Sequence, residues 1–377
     1  MTGTPEISGT TAPGFEPVRE TFAGLWDGSD EIGAAFAIEM DGKPVIDLWG
    51  GWTSKKRESE WARDTIVPVF STGKAITALV MGWLKDQGQF AFRDRVADHW
   101  PAFAQAGKGD VTIAQALSHQ AGLPGLSEPM EAAGWFDRDF IEARIAAQAP
   151  LWPPGQGSGY SPIVYGFIAD AIARRTDGRS IGDILKEEMA GPRGIDFFIG
   201  TPESEHKRTA EHRLPPKAPD LGEINDSTNL AFLKPWSSPG RRGATEWRKA
   251  EFPAANGHGN ARSIATLMGL YANEGRLGED QLLSPETIAE LMAEQVRGPD
   301  RVLPFDLSLG MGVMRNTTNG FYGPETASIG HYGMGGSCGF ADPVRHLSGS
   351  YTPCQLSFHL AGDPRAVTLI NAVYGCL

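Results

Sequence analysis

The stretch Val67-Pro68-Val69-Phe70-Ser71-Thr72-Gly73-Lys74 decides how this chain is read. Four apolar residues lead into Ser71, and from there Ile76, Leu79, Val80, Trp83 and Leu84 recur at helical spacing until Gly88. Ser71 therefore sits at the start of an amphipathic helix. Residues three apart share one helical face, so the Lys74 amine can reach the Ser71 hydroxyl that it must deprotonate. The helix N-terminus adds backbone N–H groups and the positive end of a dipole beside the same oxygen.

That spacing alone is weak, because an N-cap serine followed by a solvated lysine has it too. Ser204-Glu205-His206-Lys207 repeats it in a charged stretch without apolar neighbours to exclude water. Context favours Ser71. Farther along, Gly159-Tyr160-Ser161-Pro162 puts a tyrosine just before a helix start, with Pro162 suited to the first helical position. There a phenol is held rigidly, and nearby cations are expected to lower its pKa from about 10. Near the end, Gly330-His331-Tyr332-Gly333-Met334-Gly335-Gly336-Ser337 is dense in glycine, which lets a backbone come close to a ligand and aim N–H groups at it. A plain turn has the same composition. Gly335-Gly336-Ser337-Cys338-Gly339 also matches the G-x-S-x-G nucleophile elbow, but only 40 residues follow Ser337, too few for the remainder of such a sheet.

Outward from these points, Val18, Phe22 and Leu25 mark a first helix, and Asp41-Gly42 joins two extended runs as a tight hairpin. The spacing predicts helices after Thr112, Ser161-Pro162 and Ser180, then over about 262–274 and from Ser284-Pro285 to about 297. Short strands and turns follow from Leu307 to Phe358, and Asp363-Pro364 caps a closing helix. Residues 1–14 read as a loose arm, and 200–250 as long surface loops. Val344 to Ser350 is more polar than a sheet strand should be. Strands near both ends with helices between them predict a sheet domain from 1–70 together with 255–377, and a mostly helical domain over 71–254, with the active site between them.

Composition narrows the function. The chain has 377 residues, enough for one large domain or two interlocked ones, and a formal net charge of −12 that repels nucleic-acid phosphates and anionic lipid. Its three cysteines, Cys338, Cys354 and Cys376, form no metal-binding spacing and no disulfide framework. No phosphate loop, dinucleotide fingerprint or metal signature appears, so no cofactor and no metal is expected. The expected partner is a small-molecule substrate, with no nucleic acid and no membrane. The first twenty residues lack the basic and apolar regions of a signal peptide, and a cytoplasmic location is expected.

The order S-x-x-K at Ser71, Y-x-x at Tyr160 and H-x-G at His331, separated by 89 and 171 residues, resembles the class C β-lactamase and D-alanyl-D-alanine carboxypeptidase superfamily of serine hydrolases. Within it, the chain is most similar to family VIII carboxylesterases. The stretches Leu117 to Pro124, Ala255 to Gly259 and Gly339 to Pro343 carry the resemblance over most of the chain. It implies an α+β fold of the β-lactamase/transpeptidase type: an antiparallel sheet flanked by helices, plus a mostly helical domain. It also implies Ser71 as nucleophile, Lys74 with Tyr160 as a coupled base, and an oxyanion hole from the amides of Ser71 and Met334. His331 and Gly333 would complete the substrate side, His331 by orienting the leaving group or the tyrosine.

Two positions depart from the superfamily pattern. The asparagine often found two residues after the tyrosine is Pro162 here, and the Lys-Thr-Gly of β-lactamases is His331-Tyr332-Gly333, which exchanges a permanent charge for a titrating imidazole. The expected activity is cleavage of short-chain carboxylic esters through an acyl-serine intermediate. A β-lactamase or peptidase, an acyltransferase and a non-catalytic binding protein remain alternatives. His119, His258 and Trp152 are candidates for the pocket wall, with buried structural roles as the alternative.

Overall fold

The computed structural model describes residues 5–27 and 30–377. A nine-stranded antiparallel sheet forms its centre. In chain order its strands are β1 (Ile7–Thr11), β2 (Gly33–Met40), β3 (Lys43–Gly51), β4 (Val296–Pro299), β5 (Asp306–Leu309), β6 (Met314–Arg315), β7 (Ile329–Tyr332), β8 (Cys338–Asp342) and β9 (Leu347–Pro353). Their spatial order is β1-β3-β2-β9-β8-β7-β6-β5-β4, so strands from both ends of the chain meet where β2 pairs with β9. The hairpin between β2 and β3 turns at Asp41 and Gly42, at φ of 49° and 68°, as a two-residue type I′ turn requires.

Helices cover the sheet. The earliest, α1 (Glu16–Ala23), lies against the last, α6 (Pro364–Tyr374), whose start is capped by Asp363 accepting from the Arg365 N–H at 2.9 Å. On the other face α4 (Ala261–Ala272) lies across β9, β8 and β2. This contact accounts for the polarity of the β9 sequence. Ser348, Ser350 and Thr352 alternate along the strand and all are buried. Being small, they let α4 come close, and a side chain added at Gly269 of that helix would meet Ser348 Oγ at 3.4 Å.

The helix that follows Ser71, α2 (Gly73–Asp86), is buried nearly all round, as its high apolar content dictates. On it pack α3 (Val164–Thr176) and α5 (Pro285–Met292), the latter over Gly82, where an added Cβ would lie 2.7 Å from Leu283. The chain before α2 is extended at Val67–Pro68, which pairs with His258–Gly259 in a three-stranded sheet. This pairing brings the Ala255 to Gly259 motif against the Ser71 turn.

Four expectations need correction. Residues 7–11 are not a loose arm but the edge strand β1, paired with β3; residues 1–4 of that arm lie outside the described residues. The helix from Ser284 stops at Met292, because the chain must turn there to enter β4. Pro162 is not the first residue of a helix, since α3 begins at Val164 and the Ser161 hydroxyl caps it by accepting from the Tyr165 N–H at 3.1 Å. Finally, 200–250 is more than surface loop: Leu230, Ala231 and Trp247 are buried.

Candidate active site

Ser71 lies in a single 3-10 turn, Phe70–Thr72, which runs directly into α2. Phe70 takes φ of +47°, a left-handed conformation that is costly for a bulky residue and that aims the turn. Its ring is fixed by stacking on His212 at 5.4 Å and by Trp247 at 6.4 Å. One helical turn on, Lys74 is fully buried and its Nζ lies 3.0 Å from Ser71 Oγ. The other partners of that amine are two carbonyl oxygens, of Pro162 at 2.9 Å and Ala254 at 3.0 Å. No carboxylate pairs with it among the described residues. Burial without a counter-charge holds the Lys74 pKa well below the usual lysine value.

The neutral form fits these partners well. Carbonyl oxygens only accept, so a neutral amine gives its two N–H bonds to Pro162 and Ala254 and leaves its lone pair facing the Ser71 hydroxyl. Tyr160 closes the group: its phenol stands close enough to Ser71 to be influenced by that hydroxyl, and Lys74 Nζ lies 4.8 Å from the centre of its ring. Contrary to the sequence expectation, the phenol is not made more acidic. Burial pushes its pKa up, Ser71 offsets this in part, and Asp300 adds to it.

Tyr160 is placed by residues that flank it in space. His119, at φ +62°, accepts the Ser161 N–H on Nδ1 at 3.0 Å and packs its ring, tilted by 39°, with its centre 4.8 Å from that of Tyr160. Asp300 accepts from the Tyr160 N–H at 3.0 Å, from the Val302 and Leu303 N–H groups at 2.9 Å each, and from Ser158 Oγ at 2.8 Å. Sequence reasoning missed Asp300, for it stands alone in a loop 140 residues from the tyrosine it holds.

The glycine-rich segment meets the Ser71 turn from the sheet side. A Cβ on Gly333 would fall 2.1 Å from the Val69 carbonyl oxygen and 2.2 Å from Ser337 Oγ, so only glycine lets β7 and the turn come this close. Met334 follows it and lines the pocket beside Ser71. The Met334 loop is tied to α6 by Arg365, which donates to the Gly335 carbonyl at 3.2 Å and pairs with Glu31 at 2.6 Å. Ser337 is buried; its hydroxyl donates to the Val69 carbonyl at 2.8 Å and lies 3.0 Å from Thr72 Oγ1. It sits between two antiparallel strands rather than between a strand and a helix, so the nucleophile-elbow reading fails. Ser204 is equally excluded: it is in an exposed 3-10 turn with its hydroxyl on Glu205 at 2.9 Å.

His331 also differs from expectation. It is fully buried, its Nδ1–H donates to the Tyr332 carbonyl at 2.7 Å, and its ring centre lies 6.0 Å from that of Tyr160. Burial, with Lys74 nearby, pushes its pKa down to about 3, so it is a neutral group at physiological pH and not a titrating one. His258 is buried outside the pocket lining, as is Trp152. The pocket over Ser71 is mainly apolar, walled by Ile163, Phe232, Trp247, Leu303, Met314 and Leu360. Among the described residues no cluster of three or more His, Cys, Asp or Glu could hold a metal ion, and no helix is long and apolar enough to cross a membrane.

The family model described as Beta-lactamase matches residues 18–365. The chain is 31% identical over 352 residues to the Esterase/beta-lactamase LipL of Mycobacterium tuberculosis (strain ATCC 25618 / H37Rv), covering 89% of this chain and 80% of that one. Among solved structures it resembles a penicillin-binding protein homologue from Caulobacter crescentus, with TM-score 0.96, 47% identity, and 99% and 100% of the two chains covered. A family VIII carboxylesterase matches with TM-score 0.93, 40% identity and the same coverage.

Proposed function

This chain belongs to the beta-lactamase family of serine hydrolases, and from that premise we propose that it cleaves short-chain carboxylic esters through an acyl-serine intermediate. The single observation that carries the mechanism is the Lys74 amine, held by two carbonyl acceptors with its third direction toward Ser71 Oγ at 3.0 Å. Lys74 takes the Ser71 proton as Oγ attacks the ester carbonyl. The oxyanion is received by the Ser71 and Met334 amides, each such donor being worth on the order of a hundredfold or more in rate. As the C–O bond breaks, Tyr160 gives its phenol proton to the leaving oxygen and takes one from Lys74. A water molecule then passes a proton to the neutral Lys74, attacks the acyl carbon and releases the acid, and Ser71 Oγ recovers the proton.

Esters are favoured over β-lactams by what the Pro162 and His331 positions lack. In the resembled β-lactamases an asparagine and a lysine hold the amide and carboxylate of the antibiotic. Pro162 here offers a carbonyl already occupied by Lys74, and His331 is neutral and buried. Neither Gln120 nor Asn256 replaces them. Gln120 Nε2 is bound to Ser118 Oγ at 2.8 Å, and Asn256 donates to the Trp247 and Ala250 carbonyls and accepts from the Phe252 N–H. A β-lactam that places its amide and its carboxylate at these two positions leaves both unpaired there, at about 1 to 3 kcal/mol each, or roughly a hundredfold in all.

The test compares kcat/KM for p-nitrophenyl butyrate and a chromogenic cephalosporin, and maps a fluorophosphonate label by peptide analysis. The ester is expected to lead by about a hundredfold and the label to sit on Ser71. Equal or reversed values would promote the β-lactamase reading, and a label elsewhere would overturn the mechanism.

A further inference from the structure

Of the side chains that line the pocket, one carries a formal charge, Arg242. Its guanidinium carbon stands 5.7 Å from the centre of the Phe70 ring, and Phe70 is the residue before Ser71. The side chain is exposed at the pocket mouth. Its neighbour Arg241 pairs with Glu246 at 2.8 Å, whereas no carboxylate lies within ion-pair distance of Arg242 among the described residues. The ring contact does not replace one, since 5.7 Å is near the outer limit at which a cation gains from an aromatic face.

This placement is unusual in its surroundings. The chain as a whole is acidic, with net charge −12, so its long-range field disfavours anionic ligands. Arg242 is a local exception beside the nucleophile, on the segment that includes Ser237 to Gly240 rather than on strand β7. A guanidinium is a planar fork matched to two carboxylate oxygens, and such charge-assisted pairs are the stronger hydrogen bonds.

Building on the ester-hydrolase reading, we propose that Arg242 receives a carboxylate carried by the substrate, so that the preferred substrates are anionic esters. The carboxylate can belong to the acyl part, as in a half-ester of a short dicarboxylic acid, or to the alcohol part, as in an ester of a hydroxybenzoic acid. In both, the apolar wall takes the chain or ring, and the charge reaches the mouth.

The experiment measures kcat/KM for two matched pairs by pH-stat: monoethyl adipate against ethyl hexanoate for the acyl side, and 4-(butyryloxy)benzoate against phenyl butyrate for the alcohol side. The readout is the anionic-to-neutral ratio in the wild type, Arg242→Gln and Arg242→Lys. In at least one pair the ratio is expected to fall about tenfold in Arg242→Gln and to be partly kept in Arg242→Lys, and the pair that responds says which part bears the carboxylate. Ratios that stay constant across all three proteins in both pairs would overturn the proposal while leaving ester hydrolysis intact. No turnover of any of the four esters would instead overturn the ester-hydrolase reading, and this proposal with it.

Discussion

The carbonyl oxygen of Pro162 accepts a hydrogen bond from Lys74 Nζ at 2.9 Å. The position that departs from the superfamily pattern thus serves the base through its backbone, which any residue could supply. What the proline cannot supply is a side-chain amide facing the substrate. On the proposed mechanism, the same residue would hold the base and shift the preference toward esters.

On the proposed mechanism, Lys74 is expected to set the acid limb of the pH profile. A base whose pKa is held down by burial is neutral above that value and loses its lone pair below it, so kcat/KM falls as the pH drops through the lowered Lys74 pKa. His331, pushed down to about 3, is already neutral at physiological pH and is not the proposed base, so His331→Asn should leave the position of the limb unchanged. Lys74→Arg keeps a cation but cannot accept a proton, and is expected to cost about a thousandfold in kcat. A limb that moves with His331 would assign the base wrongly.

The proposed mechanism has Tyr160 and Lys74 act on one proton. Tyr160→Phe removes the phenol that burial keeps protonated beside Ser71. Each single change, Tyr160→Phe or Lys74→Ala, should lower kcat by about a hundredfold or more, and the double variant should be little worse than the poorer single one. Losses that multiply independently would separate the two roles.

Gly333→Ala tests how the sheet positions the oxyanion side. The new Cβ would fall 2.1 Å from the Val69 carbonyl, a backbone atom that cannot step aside alone. The Met334 amide is expected to move, with a loss of kcat of about a hundredfold at nearly unchanged KM. Ser337→Ala, by contrast, removes a buried hydroxyl clip and should lower stability by about 1 to 3 kcal/mol while retaining fluorophosphonate labelling. Wild-type kcat in Gly333→Ala would show that this loop holds no part of the reacting carbonyl.

What could be read in the sequence follows from how local each cause is. Ser71 and Lys74 lie one helical turn apart, so periodicity alone brings them together. Asp41-Gly42 is its own turn, and the capping residues Thr112, Ser180, Ser284 and Asp363 act within three residues. Asp300 and Ala254 act on Tyr160 and Lys74 over 140 and 180 residues of chain, through contacts that exist only once the fold has formed. The phenol and imidazole pKa values were misjudged for the same reason. Burial is the largest cause for both Tyr160 and His331, and burial is a property of the assembled pocket. In β9, polarity hid a central strand, since serine can be chosen there for its size.

Buried histidines give the protein an acid-sensitive stability. His212, His258 and His331 are each pushed down to about 3 from 6.5, and His119 is held well below 6.5, in all four chiefly by burial. The sign follows from proton counts. Below pH 6.5 the unfolded chain binds a proton at each histidine while the folded protein does not, so unfolding gains free energy as the pH falls, down to about 3. The stabilisation is complete above pH 6.5 and is lost progressively beneath it. Between pH 7.5 and 5.5 each histidine should remove about 1.4 kcal/mol, or roughly 5 kcal/mol for the four. Urea unfolding across that interval measures it, and His212→Phe, which keeps a ring to stack on Phe70 at the 5.4 Å contact, should flatten the dependence by about a quarter. Stability that stays level over this interval, or a slope untouched by His212→Phe, would mean that these rings take up protons in the folded state after all.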